Sequence, residues 1–433
     1  MRSDLVGEAE RDGGRGKAIR MRFTGLLSAL VALLIGMFAS AASFAQIPSD
    51  ATVLGRPRPD YSPIGVPLGG GGLFTVYPRI TVATIYDDNV LREEHHPNAD
   101  VAVSLQPEVR LQSDWDVHAL GVGAMANIVR YRDQSRADYQ DWSTDANGRL
   151  DITDDLSATA AAAFAKQHED RGSPDSAAAD QDNIEFYRFA RGTALDYKGP
   201  SISTRLSAEW DSYDYQDNNG INYDDRDYDF YETRLRVGTE VTPSISLFVE
   251  PGYNWRVYSG LDDFGFDKDS EGYDIHVGAT YDVTAVTFLE VYGGYFQQNY
   301  EDSRFPTANG LALGLQTTWN PDDLTTVTAN IGRTVHETNV QGAAGIVDTG
   351  IDLRVDYELL ETLVASGHGS LHGEHFEGIG RDDNLHTLGA GLTYFINPYL
   401  QAGVDYTFGE RNSHVDGEGY RYNEISLRLT GAL

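Results

Sequence analysis

The segment from Thr349 to Leu359 constrains the fold more than any other part of the chain. Its sequence, TGIDLRVDYEL, has Thr, Ile, Leu, Val, Tyr and Leu at odd positions and Gly, Asp, Arg, Asp and Glu at even positions. Strict alternation of this kind is typical of a β-strand with one apolar face and one hydrated, charged face. A strand of a soluble β-sandwich can alternate in the same way, so this segment alone does not show what its apolar face contacts.

Repetition of the pattern along the chain distinguishes the two environments. We predict eighteen strands, at 74–86, 101–112, 117–131, 141–152, 156–167, 185–197, 201–213, 229–241, 245–258, 272–282, 286–298, 309–319, 324–336, 347–359, 363–376, 385–395, 399–409 and 420–433. Turns of three or four residues alternate with longer acidic connections, such as 169–182 and 214–227. The pattern indicates an all-β fold, a transmembrane antiparallel β-barrel in residues 73–433 with short periplasmic turns, long extracellular loops and both termini in the periplasm.

Aromatic residues support the membrane environment. Trp and Tyr are favourable at both boundaries of a bilayer, and a soluble sandwich has no reason to place them at both ends of its apolar rows. One predicted girdle comprises Tyr86, Trp142, Trp210, Trp255, Tyr273, Tyr295 and Tyr406, and the other comprises Trp115, Tyr197, Tyr281, Trp319, Tyr357 and Tyr394. Arg191 and Arg333 fit this pattern less well, because the alternation places them on or near the lipid face, where Arg is costly at mid-membrane. The alternative is that the register of these two strands is shifted by one residue.

Composition excludes several classes of protein. The mean hydropathy of −0.38 is too polar for a helical membrane protein but is compatible with a barrel, since half of each strand faces water. A net charge of −33 argues against a nucleic-acid partner, which requires a basic surface. The absence of Cys is compatible with an exported protein held by ladder hydrogen bonds.

The N-terminal region has the pattern of a secretory signal peptide in residues 1–45. Basic residues precede an apolar run from Leu26 to Phe38, and small residues lead to a cleavage site after Ala45. Met1 and Met21 are alternative starts, since the stretch before Met21 is long for a signal peptide. Cleavage would leave 27 basic and 62 acidic residues, a net charge of −35. Residues 46–72 are rich in Pro and Gly, and we expect an extended segment that is either a periplasmic tail or is tucked into the barrel mouth.

The polar faces of the predicted strands indicate a hydrated lumen, because a packed apolar interior cannot hold so many charges. A barrel of this size leaves an aqueous channel unless a loop or the N-terminal segment blocks it. Carboxylates outnumber guanidinium groups on this face, so an open pore should favour cations. The alternative is that the charged residues form carboxylate–Arg pairs that only cover the wall of the barrel. The predicted channel-lining residues are Glu108, Arg110, Arg149, Glu209, Arg234, Arg236, Glu250, Arg256, Asp348, Asp352, Arg354 and Asp356.

Four inward aromatic residues lie on nearby predicted strands: Phe248, Tyr258, Tyr292 and Phe296. Rings along a wet channel can stack against sugars, and the alternative is that they fill space beside a loop. Catalytic and metal motifs are missing from the sequence, so we predict neither an enzyme, nor a cofactor, nor a metal site. His368 and His372 share a strand face, but four residues separate them by about 13 Å, too far for one ion.

Several short motifs carry a resemblance to a known family. They are RPRPD at 56–60, IGVPLG at 64–69, FTVYPR at 74–79 and YDDNV at 86–90, together with Leu105, Pro107, the SDW of 113–115 and His118. This sequence resembles the putative β-barrel porin 2 family of Gram-negative outer-membrane proteins, most clearly over residues 56–150. The resemblance implies an outer-membrane barrel, often linked to exopolysaccharide or capsule export, and no catalytic residues.

We therefore expect an outer-membrane channel that serves as an exit or accessory for polysaccharide export. The alternatives are a general diffusion porin that favours cations and a plugged barrel with a structural or adhesive role. Expected partners are outer-membrane lipid and lipopolysaccharide, with a polysaccharide and a periplasmic export protein if export is the function. An acidic lumen repels an anionic polymer, so export would require a neutral glycan or accompanying counter-ions.

Overall fold

The computed structural model describes residues 52–56, 58, 60–69, 73–178, 181–284 and 287–433. The strands are β1 Val66–Leu68, β2 Phe74–Asp87, β3 Asp100–Ser113, β4 Ala119–Tyr131, β5 Tyr139–Asp151, β6 Leu156–His168, β7 Glu185–Lys198, β8 Ile202–Tyr215, β9 Tyr228–Thr242, β10 Ile245–Tyr258, β11 Ser270–Thr284, β12 Thr287–Tyr300, β13 Ala308–Asp322, β14 Thr325–His336, β15 Gly345–Leu360, β16 Leu363–Glu377, β17 Arg381–Asn397, β18 Leu400–Ser413 and β19 Tyr420–Ala432. The predicted signal peptide lies outside the described residues.

Strands β2 to β19 form one closed antiparallel barrel. Each strand pairs with its neighbour in the chain, and β19 closes the ring by pairing with β2, from Glu424 opposite Asp87 to Ala432 opposite Arg79. The eighteen-stranded barrel predicted from the alternation is therefore confirmed. Among the described residues, no helix has the length and apolar character needed to cross a bilayer.

The connections define two ends of the barrel. The strand bounds leave longer connections at one end, such as 88–99, 169–184, 216–227 and 259–269, which we call the loop end. Two- to five-residue connections lie at the other end, such as 243–244, 361–362 and 398–399, which we call the turn end. Because the strand number is even, β2 begins and β19 finishes at the turn end.

The outer surface carries the apolar side chains. On β3, Val103 and Val109 are 53% and 43% exposed, whereas the intervening Ser104 is fully buried. Leu311 on β13 and Leu427 on β19 are also exposed, as are girdle residues such as Trp319 at the turn end and Tyr273 at the loop end. Apolar side chains on the outside and polar ones within are the arrangement required when hydrocarbon surrounds the barrel.

The structure differs from the predictions in several details; β18, for example, continues to Ser413 rather than ending at 409. The short strand β1 was not predicted, because only its pairing with Phe74–Val76 of β2 separates it from an irregular extended chain. Strand β17 begins at Arg381 rather than at 385, since its first residues continue the ladder beyond the apolar rows. The described residues between 52 and 62 are not extended as predicted but form two tight turns, in which the amides of Arg56 and Ser62 donate to the carbonyls of Thr52 and Arg58.

The two misplaced arginines do not reflect a shift in register. Arg191 pairs with Trp210, whose side chain is exposed on the outer face, and its guanidinium lies 3.4 Å from the centre of the Trp210 ring. Stacking on an indole reduces the cost of the charge at that position. Arg333 pairs with Thr349, which is also exposed, so its Cα has the outward register as well.

Candidate functional site

The inner face of the barrel is the candidate functional site. The twelve predicted channel-lining residues all lie on the face opposite the exposed apolar rows. The structure gathers them into two groups, one on β9–β11 and one on β15. The other four lie on β3, β5 and β8, where Arg110 approaches Glu108 and Asp145 at 4.0 and 3.9 Å and Arg149 donates to Asp151.

The group on β9–β11, together with Glu290 of β12, is a dry network of ion pairs. Arg234 Nη1 lies 2.9 Å from Asp274 Oδ2 and Arg236 Nη2 lies 2.9 Å from Glu290 Oε1. Glu250 accepts a hydrogen bond from Arg236 and forms a longer ion pair with Arg234, at 3.6 Å. The side chains of Glu250 and Glu290 are 1% and 0% exposed. Charges that are paired and shielded from water to this degree stabilise the geometry of the wall and contribute little to the selection of ions.

The group on β15 is open to water. His372 of β16 lies between Asp348 and Asp352, at 2.9 Å and 3.4 Å, and the Asp352 side chain is 48% exposed. Further down the strand, Arg354 donates to Asp356 and to Ser366 Oγ. Hydrated carboxylates on one side of a lumen can attract and partly desolvate passing cations.

The four inward aromatic rings pack against protein groups. Tyr258 stacks on Tyr228 with centroids 5.1 Å apart and donates to Glu337, which also pairs with Arg256. Tyr292 stacks on His276, Phe248 lies beneath the Arg236 guanidinium and Phe296 lies beside that of Arg333. Stacking of sugars on these four rings stays a prediction.

The described residues of the connection between β6 and β7, 169–178 and 181–184, cross the lumen at the loop end, and we call them the crossing loop. Asp175 accepts hydrogen bonds from Thr338 Oγ1 at 2.9 Å and from the Asn339 amide at 2.7 Å, both in the connection from β14 to β15. In the ring of eighteen strands, β14 is seven strands away from β7 and β15 is nine strands away from β6, where nine is the greatest possible separation. The crossing loop therefore reaches almost the opposite side of the barrel.

Other walls hold the crossing loop as well. Tyr420 at the start of β19 donates from its hydroxyl to the Gly172 carbonyl, and Arg226 donates to the Asp175 carbonyl. Ile184 packs with Tyr223 in a small buried cluster. These contacts join residues up to 248 positions apart, and no local sequence pattern identified them.

Burial changes the acid–base behaviour of the crossing loop. Burial, with the nearby Asp175 carboxylate, raises the pKa of Glu169 to about 7. Burial also raises the pKa of Asp175, although its hydrogen bonds from Asn339 and Thr338 oppose the shift. The loop is therefore held most firmly when Glu169 is neutral.

At the turn end, residues 52–62 occupy part of the barrel mouth, and we call them the N-terminal latch. The Val53 side chain is fully buried with Val364 and Phe395, and its amide donates to Thr326 Oγ1. The Arg58 guanidinium forms a 2.8 Å ion pair with Glu358 and lies 4.7 Å from the centre of the Phe395 ring. Of the two expectations for this segment, the position inside the mouth is the one observed for its described residues.

A cluster of potential metal ligands lies outside the lumen. Glu94, His95 and Asp416 approach one another on the loops at the loop end, with His95 Nε2 3.2 Å from Asp416 Oδ1. All three residues are exposed, and Glu94 also accepts from the Gly417 amide. Exposed groups of this kind are common without an ion, so this arrangement does not indicate a metal centre.

Comparison with known proteins identifies the family but not a particular function. No curated protein is significantly similar to the chain. Similar solved structures include OccK3 of Pseudomonas aeruginosa, with 16% identity over 83% of this chain and 95% of the other and a TM-score of 0.41. OccK2 of the same organism has 10% identity over 83% and 97%, with a TM-score of 0.45. The siderophore receptor PirA of Acinetobacter baumannii has 10% identity over 83% and 80%, with a TM-score of 0.44.

A family model also matches most of the chain. The model described as Putative beta-barrel porin 2 matches residues 58–433, which include the latch residue Arg58 and the entire barrel. The family is one of porins and not of enzymes, in agreement with an inner face that holds water-exposed charged pairs such as His372 with Asp352. The chain therefore belongs to the Putative beta-barrel porin 2 family, and it is a porin-like β-barrel channel of the Gram-negative outer membrane.

Proposed function

We propose that this protein is a channel for small hydrophilic solutes that favours cations and is narrowed at both ends. The observation that best supports this proposal is the pair of hydrogen bonds from Thr338 and Asn339 to Asp175 across the barrel, which hold the crossing loop over the lumen. The N-terminal latch occupies part of the opposite mouth through Val53 and Arg58. A solute must therefore pass beside two ordered segments.

The inner wall supports a preference for cations. The exposed charges on β15 include Asp352, and Asp348 and Asp352 lie on either side of one imidazole. On β9–β11, by contrast, the arginines are shielded by their carboxylate partners. The exposed Asp352 gives this part of the lumen a negative field, and a negative field raises the local concentration of cations.

The orientation of the barrel in the membrane follows the usual arrangement of bacterial outer-membrane barrels. The loop end faces the outside and the turn end faces the periplasm, because bacterial barrels have short periplasmic turns and longer external loops. Both ends of the barrel domain, at β2 and β19, are then periplasmic. The acidic external loops meet the phosphates of lipopolysaccharide through divalent cations.

Polysaccharide export is a less favoured proposal for this geometry. The family resemblance implies it, but a polymer would require the crossing loop and the latch to leave the lumen together. Deletion of the gene, followed by measurement of secreted polymer, separates the two functions. Lost polymer output with unchanged uptake of small solutes would favour export over our proposal.

Single-channel recording of the mature protein in planar bilayers tests the proposal directly. Replacement of residues 171–182 by a Gly-Ser-Gly link removes the contacts of Asp175 and Gly172 while the barrel strands remain. We expect small, cation-selective steps from the unmodified protein and a several-fold larger conductance from the variant.

A matched control replaces residues 414–417, an exposed loop tip at the same end of the barrel, by Gly and Ser. This control should conduct like the unmodified protein. Silence of all three proteins would exclude a channel and leave a structural or adhesive barrel. Equal conductance of all three would show that the crossing loop does not limit passage.

A further inference from the structure

The barrel wall is split between β13 and β14 in its loop-end half. Pairing of the two strands stops at Gly314 opposite Gly332, although β13 extends to Ala308 and β14 to His336. Both unpaired stretches remain attached to their other neighbours, with Ala308 opposite Gln298 of β12 and His336 opposite Ile346 of β15. Each strand is therefore held by its outer neighbour while the ladder between the two is missing, and the split is a feature of the wall rather than a frayed end.

Contacts close the split above and below, so that it forms a window. Below, the ladder is continuous from Gly314 opposite Gly332 to Trp319 opposite Val327. Above, the connection from β12 to β13 meets the loop that follows β16, where a methyl group on Gly378 would lie 3.3 Å from Cδ of Pro306. Backbone groups that face lipid without partners are costly, so a window of this kind requires some other group to occupy it.

Arg333 passes through the window. Its Cα has the outward register, because its partner Thr349 is exposed, whereas its guanidinium lies against the inner face. A Cβ on Gly310 would lie 3.3 Å from Arg333 Nη1, and Gly310 pairs with the inward-facing Phe296. The Arg333 carbon Cζ is 5.7 Å from the centre of the Phe296 ring. The opening is thus wide enough for an arginine side chain to connect the two faces.

The charge of Arg333 is not neutralised by the described residues. No described carboxylate lies within 4.0 Å of its nitrogens, and its buried Nε atom has no hydrogen-bond partner in the described part of the chain. This differs from lumen arginines such as Arg188, Arg256 and Arg411, each of which pairs with Asp or Glu. In so acidic a chain, an arginine without a carboxylate partner fits an anion supplied from outside the protein.

The surroundings of the window indicate the kind of anion. On the outer side it is bordered by Leu311, Leu313 and Ile331, which are 62%, 48% and 38% exposed. A molecule with an acyl chain would contact these apolar residues, and its anionic head group would pair with the Arg333 guanidinium. We propose that the window between β13 and β14 is a lateral binding site for an anionic amphiphile, a phosphate-bearing lipid, with Arg333 as the ligand of its head group.

Disulfide formation tests whether the window exists, because the sequence has no Cys of its own. Leu315 and Ile331 are paired, and a continued ladder would place Leu311 opposite Val335, four residues further along each strand. A disulfide requires Cα atoms roughly 4.4–6.8 Å apart. We expect the pair L315C and I331C to oxidise readily and the pair L311C and V335C to stay reduced under the same conditions. Equal oxidation of both pairs would overturn the window.

Photolabelling tests the occupant. The mature protein is placed in nanodiscs of phosphatidylcholine that contain some phosphatidic acid with a diazirine on its acyl chain, and labelled peptides are identified by mass spectrometry. Labelling should concentrate on residues 308–313 and 333–336, fall several-fold in R333Q and recover in R333K. R191Q is the matched control, since Arg191 is also outward but stacks on Trp210.

Two outcomes would contradict the assignment. Equal labelling of R333Q and the unmodified protein would remove Arg333 as the ligand. Displacement of the label by inorganic phosphate would reassign the site to a free anion and exclude a lipid. None of these measurements depends on conduction along the lumen, so the failure of either proposal leaves the other intact.

Discussion

At the scale of single residues, neighbouring glycines on β12 have different roles. Gly294 faces the lumen, and a Cβ there would lie 1.9 Å from the backbone carbonyl oxygen of Ile275. Gly293 faces lipid, and a Cβ there would meet only the Leu313 side chain, at 3.9 Å. A backbone atom cannot move aside as a flexible side chain can, so Gly294 permits a close approach of β11 and β12 that any larger residue prevents.

This contrast predicts that G294A destabilises the barrel and that G293A does not. We expect G294A to cost about 1–3 kcal/mol, the usual range for overpacking, because the added methyl group meets backbone. The urea midpoint of unfolding in detergent measures the effect. Equal midpoints for the two variants would show that the ladder adjusts without cost.

Glu169 gives the crossing loop a pH dependence. Its pKa is about 7 in the closed loop and close to the ordinary carboxyl value in an open one, so the closed state binds the proton more tightly. The closed loop loses stability as the pH rises from about 4.5 to about 7, since ionisation then favours the open state. We expect channel conductance to increase over this range and E169Q to remove most of the increase. A conductance that falls with rising pH would contradict this sign.

At the scale of elements, the N-terminal latch and the crossing loop are held by different interactions. The latch uses buried apolar contacts around Val53 together with the ion pair of Arg58 with Glu358. The crossing loop depends on hydrogen bonds of Asp175 and on the packing of Ile184. Each end of the lumen can therefore be opened separately by mutation.

Removal of Arg58 should release the latch. R58A leaves Glu358 without its partner and deletes a hydrogen bond to the Val53 carbonyl, at a cost of about 1–3 kcal/mol. Limited proteolysis should then cut between residues 52 and 62 while the barrel stays intact. The control is R132A, whose partner Asp133 and own side chain are 70% and 79% exposed, and which should leave the latch protected. Protection of the latch in R58A would show that the apolar contacts suffice.

At the scale of the whole molecule, open and shielded charges are distributed unequally around the lumen. The wall of β9–β11 pairs its charges out of water, and the wall of β15 leaves Asp352 half exposed. Ion selection is thus assigned to the wall around β15. The wall around β9–β11 provides rigidity.

This distribution predicts the effect of neutralising Asp352. D352N should reduce the preference for potassium over chloride, measured as the reversal potential in a salt gradient, because an exposed carboxylate acts on passing ions. D416N, on an exposed loop outside the lumen, should leave the reversal potential unchanged. An unchanged potential in D352N would remove this residue from the selectivity of the channel.

The alternation of apolar and charged residues determined the strands, their two faces and the closed barrel. It could do so because hydrocarbon and water impose their requirements on each residue separately, and a strand records them with a period of two. The same rule placed Arg191 and Arg333 outward, and only the structure shows the ring of Trp210 and the window that make these positions tolerable.

The sequence by itself thus determined the barrel architecture. It also determined the face that each side chain occupies on strands β2 to β19. Tertiary structure alone decided what lies in the lumen and where the wall is open. Asp175 meets Asn339 across 164 residues and Val53 meets Thr326 across 273, and contacts at such separations leave no periodic signal in the chain. Pairing of β13 with β14 ends at Gly314 and Gly332, although both strands continue past that point.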